Sequence, residues 1–144
     1  MFKKSITAVF ILGLCSASAF ARDDIKDYSI PDVLASANAK STLGSNIEFY
    51  FGDQTHPKIT NDLGEFKTNK KTNAVNKSDF EACSWVFLSA MKTLKDRAVK
   101  EGGNAIVEIK SNYKNNLTSS ETTFQCGAGT FVAGVALTGR VVKL

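Results

Sequence analysis

Between Ser78 and Gly103 apolar residues recur at three- and four-residue steps: Phe80, Cys83, Phe87, Met91, Leu94 and Ala98. That spacing lines one side of an α-helix. Lys92, Lys95, Asp96, Lys100 and Glu101 fall largely off the stripe. Ser78-Asp79-Phe80-Glu81 reads as a capping box, with Ser78 capping the helix and Glu81 reaching back. Gly102-Gly103 supplies a left-handed stop. Trp85, Phe87 and Leu88 widen the apolar arc. Trp85 is therefore expected in the core, with an edge open to a partner protein as the alternative.

Elsewhere the pattern has a period of two. Ile47, Phe49 and Phe51 alternate with polar residues and predict a first strand. A second, Gly64 to Asn69, centres on Phe66. Asn69 to Asn76 (NKKTNAVN) carries no such alternation and reads as exposed loop. After the helix, Asn104 to Ser111 places Ala105, Val107 and Ile109 on one face. The loop Asn112 to Thr118 leads to a strand over Ser119 to Cys126. Gly127-Ala128-Gly129 then reads as a turn before a long closing strand, Thr130 to Lys143. Upstream, Pro31 with Ile30, Val33, Leu34 and Ala37 predicts a short helix over 31–39, ended by Gly44. Hairpin-length loops after a single long helix imply an α+β fold in two layers: a mainly antiparallel sheet of four or five strands with the helix packed on one face.

The first 21 residues follow a different logic. Lys3 and Lys4 precede an apolar run from Ile6 to Leu14, and small residues lead to Ala19-Phe20-Ala21. This is the pattern of a secretory signal cleaved after Ala21. The run is shorter than the roughly 18–20 residues of a membrane span, so no stable membrane insertion is expected after processing. Leu14 before Cys15 is not the small residue a lipobox wants, so a lipoprotein is not expected either. The paired lysines look bacterial and point to the periplasm. The expected organisation is a signal over 1–21, a polar segment with a short helix over 22–44, and one α+β domain over 45–144.

Processing changes the composition. The 144-residue chain has a net charge of +4 and three cysteines. Without the first 21 residues, sixteen basic residues face fourteen acidic ones, and only Cys83 and Cys126 remain. In an oxidising compartment these two are expected to pair, closing a long loop. No C-x-x-C spacing suggests a redox role.

The candidate chemistry is sparse. His56, beside Asp53 in a polar loop, is the one imidazole available, which makes a poor transition-metal site; these two are the weak metal candidates. The 127–129 glycines precede a strand, not a helix N-terminus, and no G-x-x-x-x-G-K-[ST] occurs, so no nucleotide cofactor is expected. Lys67, Lys70, Lys71 and Lys77 are too loosely spaced for a nucleic-acid surface and read as a solvated face. Asn76-Lys77-Ser78 and Asn116-Leu117-Thr118 match glycosylation sequons, relevant only in a eukaryotic source. No nucleophile elbow frames the serines.

Ala98 to Lys110 (AVKEGGNAIVEIK) resembles the YbjQ-like small bacterial domains and the RcsF-type envelope stress-sensor domain, over roughly residues 47–142. The RcsF likeness implies an envelope location, a disulfide-stabilised domain and contact with other envelope proteins. The YbjQ likeness implies homo-oligomers and, for some of these domains, heavy-metal binding, for which the cysteine and histidine count here gives little material. Lys70 to Ala74 (KKTNA), Cys83 and Cys126-Gly127-Ala128-Gly129 also look like a group of small exported proteobacterial proteins labelled "excinuclease ATPase subunit". Without a Walker motif, that activity is not expected here. The leading expectation is a non-enzymatic periplasmic binding domain with a protein partner in the envelope. The alternative is a small-ligand or metal-binding module built on Asp53 and His56.

Overall fold

A computed structural model describes residues 22–144. The predicted signal segment and the cleavage point after Ala21 lie outside them. The chain runs β1 (Asp24–Ser29), α1 (Ile30–Leu34), α2 (Ala37–Leu43), β2 (Glu48–Phe51), β3 (Asn61–Asn73), α3 (Asp79–Glu101), β4 (Ala105–Tyr113), β5 (Asn116–Thr118), β6 (Thr123–Ala128) and β7 (Val132–Lys143). The architecture is α+β. One curled, mostly antiparallel sheet carries the long helix α3 on one face, and it has seven strands where four or five were expected.

The central strand is β7. One of its edges pairs with β3 along its whole length, Asn61 opposite Lys143 through Asn73 opposite Val132. Its other edge is shared, with β4 along its C-terminal half and β6 at Gly134 and Ala133. Beyond these lie β1 on β6, and β2 and β5 on β4. Only the β2–β4 pair is parallel, because β3 and α3 intervene and return the chain in the same direction.

Four local expectations are corrected. The 69–76 segment is not loop through Asn73: Lys70 to Asn73 continue β3, drawn into the ladder by backbone bonds to β7. Its lysines suit an edge strand, where charge discourages further pairing. Asp24 to Ser29 is a strand on β6, not part of a polar lead-in. The helix expected over 31–39 is two: Ser29 accepts from the Asp32 amide, while Ser36, in extended conformation, accepts from Ala39 and begins α2. The 112–118 loop is a hairpin, with Tyr113 paired to Asn116 across Lys114 and Asn115, both at positive φ. That is the backbone a two-residue type I′ turn requires.

The helix follows its pattern more closely. Ser78 Oγ accepts from the Glu81 amide, and Gly102 closes the C-terminus at φ 80°. Gly103 has a packing reason to be glycine: a Cβ there would lie 2.6 Å from Val141 Cγ1 and 2.9 Å from the Val142 carbonyl. The helix lays Cys83, Phe87, Met91, Leu94 and Ala98 on the sheet, all buried, against Phe124, Val135, Leu137 and Val141. Phe87 stacks on Phe124 with ring centroids 4.0 Å apart. Cys83 and Cys126 form a disulfide, fully buried, that ties the second turn of α3 to β6. A smaller cluster of Ala105, Val107 and Val142, covered by Tyr50, Ile59 and Leu144, closes the opposite face.

Candidate functional site

Two aromatic side chains of α3 do not join this core. Trp85, expected inside, is 54 % exposed, and Phe80, expected on the buried stripe, is 48 % exposed. Trp85 precedes Leu94 by nine residues, two and a half turns at 3.6 residues per turn, so it points away from the sheet. Helical phase therefore contained this outcome. Phe80 has the right phase but lies in the first turn, and its aromatic neighbour is Tyr28 at 6.4 Å between centroids.

Together they flank a groove of about 280 Å³ between α3 and the α1–α2 pair. Val33, Leu88, Phe80 and Trp85 supply its apolar lining, Asp32 and Glu81 its rim. Neither carboxylate has an ion-pair partner among the described residues. The Ser84 hydroxyl, also in the groove wall, is buried without a hydrogen-bond partner. Such a group gains from a ligand that supplies one. The concavity exists because Ser36 splits the N-terminal helix, and the short α2 then packs on α3 while leaving the Trp85 side open. The alternative reading of Trp85 as an edge open to a partner marked one wall of this groove; nothing in the sequence marked the α1–α2 side.

The predicted metal candidates are not assembled into a site. His56 sits in the loop after β2, its Nδ1 2.7 Å from the Pro57 carbonyl and its ring edge-on to Tyr50 at 5.6 Å. Asp53 is exposed in the same loop. Among the described residues, no three His, Cys, Asp or Glu side chains gather where they would hold a metal ion.

The charged clusters lie elsewhere. Arg22 forks onto Asp79 at 3.0 and 3.1 Å and also reaches Asp24 at 2.8 Å. The guanidinium draws the Asp79 carboxyl below its ordinary range and is itself raised. Asp79 opens α3, where a carboxylate also suits the helix dipole. Asp23 accepts from Lys114 and from the Tyr113 hydroxyl. The Lys114 ammonium is the main reason its pKa falls, while burial and then the Asp23 bond raise the Tyr113 phenol. The Tyr113 side chain lies against cross-strand partners Gly127 and Gly134, where a Cβ would come 2.1 Å from its hydroxyl and 3.2 Å from its ring, respectively. On the outer sheet face Arg140 meets Asp62, Glu65 and Glu108.

Among the described residues no helix is long and apolar enough to cross a membrane. Comparison with family models, curated proteins and solved structures finds no match.

Proposed function

We propose that this chain is a non-enzymatic, exported binding domain whose partner is another protein of the cell envelope, seated in the groove between α3 and the α1–α2 pair. The observation that carries the reading is that groove: two half-exposed aromatics beside buried Val33 and Leu88, rimmed by Asp32 and Glu81. Aromatic side chains in such positions supply large contact area at low entropic cost. The unpaired rim carboxylates complement cations, so the occupant is an amphipathic segment with Lys or Arg beside its apolar anchors. The disulfide fits an oxidising compartment, in keeping with the signal-like leader and the RcsF-type resemblance. Among the other charged groups, Arg22, Asp23, Lys114 and Arg140 are held in ion pairs at the surface.

The test is a photo-cross-linking amino acid at Asn38, in the groove wall, in intact cells, with Glu65 on the outer sheet face as control. The expected result is one reproducible envelope protein captured from the groove and not from position 65, through a cationic amphipathic segment. Trp85→Ala and Phe80→Ala should each weaken binding of that segment roughly tenfold or more. Equal capture from both faces, or none, overturns the reading.

A further inference from the structure

A second exposed apolar feature lies at one end of the sheet. The turn between β6 and β7 ends in Phe131, 71 % exposed, followed by Val132 at 48 %, and the neighbouring turn after β3 carries Val75 at 42 %. The register of β3 on β7 brings these turns to one end of the sheet, with Asn73 opposite Val132. Both are held firmly. The Ala74 amide donates to the Phe131 carbonyl at 2.9 Å, and the Gly129 amide donates to the Val132 carbonyl at 2.8 Å. Asn73 Oδ1 accepts from the Val75 amide, and Lys77 Nζ caps the Asn73 carbonyl. Three large, exposed apolar side chains thus stand at one end of the sheet.

The charges around this tip are uneven. Val132 shares a surface notch with Arg22, Lys71 and Lys114, and Lys77 lies within the second turn. The carboxylate of that notch, Asp23, is taken by Lys114 and Tyr113, and Arg22 is matched by Asp79 and Asp24. Lys71 and Lys77 have no ion-pair partner among the described residues, and because Arg22 faces two carboxylates the four cations here exceed the three carboxylates by one. A protein partner would have to supply a pocket shaped to Phe131. A fluid bilayer interface needs none, and anionic headgroups complement the two lysines.

We propose that this tip adsorbs to anionic bilayer surfaces, with Phe131, Val132 and Val75 entering the headgroup region and Lys71 and Lys77 pairing with lipid phosphate. The contact is interfacial and independent of the protein-binding groove.

The test is flotation of the protein, as isolated from the cell with its N-terminal residue determined, on phosphatidylglycerol-containing vesicles and on pure phosphatidylcholine vesicles. The expected result is binding to the anionic vesicles that weakens with salt. Phe131→Ser should reduce the partition coefficient roughly tenfold or more, and Lys71→Gln and Lys77→Gln about fivefold each. These residues are exposed, so an unchanged thermal midpoint verifies the fold of each variant. A Phe131→Trp, Trp85→Phe double variant should show fluorescence quenched by brominated lipid. Absence of flotation, flotation indifferent to Phe131→Ser, or an unquenched tryptophan on bound protein overturns the proposal. So does a Phe131 variant that loses a protein cross-link while retaining vesicle binding.

Discussion

Arg22 joins two parts of the chain that are far apart in sequence. Its fork onto Asp79 fastens the strand end before β1 to the first turn of α3, 57 residues later in the chain. The pair is solvent-screened, so Asp79→Asn is expected to cost up to about 1 kcal/mol, measured as a shift in denaturant midpoint. The sign of the pH effect follows from the carboxylates. Asp79 and Asp23 are held below their ordinary range by Arg22 and Lys114. Their contribution to stability is present above the unfolded carboxylate value of about 3.9 and is lost as pH falls through the depressed folded values. Denaturation midpoints should fall as the pH is lowered from about 5 to 2, and less steeply in Asp79→Asn. Gly103 is a second constrained residue. Gly103→Ala forces a methyl against Val141 and the Val142 carbonyl and should cost about 1–3 kcal/mol by thermal or chemical unfolding.

At the scale of elements, α3 was readable almost entirely from its own residues. Its cap, stop and buried stripe are local properties, set by 3.6-residue periodicity and by the conformations Ser and Gly adopt. Ser78→Ala should therefore lower stability by about 1 kcal/mol in unfolding experiments. β3 is the counterexample. Asn69 to Asn73 carries no apolar alternation, and its strand conformation comes from backbone pairing with β7 alone. β1 escaped notice for a related reason: Asp24 to Asp27 is mostly charged, and its ladder depends on Phe124 and Cys126 arriving on the neighbouring strand. The disulfide joins the two kinds of element. Removing it as Cys83→Ala, Cys126→Ala releases a loop of 43 residues and should cost roughly 4 kcal/mol in the loop-entropy account. Calorimetry on the double variant measures this.

For the whole molecule, the three tyrosines report how the surfaces are assembled. Tyr28 is raised chiefly by burial, Tyr50 by its bond to Glu48, and Tyr113 by burial together with Asp23. Ultraviolet titration should find all three phenols ionising above the free value of about 10. Asp23→Asn should bring the Tyr113 step down. Two of the exposed apolar surfaces among the described residues differ in surrounding charge: carboxylates rim the Trp85 groove, and lysines stand beside the Phe131 tip. Both consist of residues a composition-level reading assigns to the interior or ignores, and each acquires meaning from what stands beside it.

The amino-acid sequence by itself determined the two-layer α+β class, the long helix with its cap and stop, and the cysteines available to pair, because these depend on periodicity and on residue chemistry within a few turns. The tertiary structure alone decided the strand count, the parallel β2–β4 pair and the extension of β3 along β7, because backbone bonds between distant segments leave little trace in side-chain pattern. It also decided the candidate sites. Trp85 faces outward by helical phase, yet only the packing of α2 against α3 makes its surroundings a groove. Phe131 and Val75 lie 56 residues apart, and only the register of two antiparallel strands sets them on one tip.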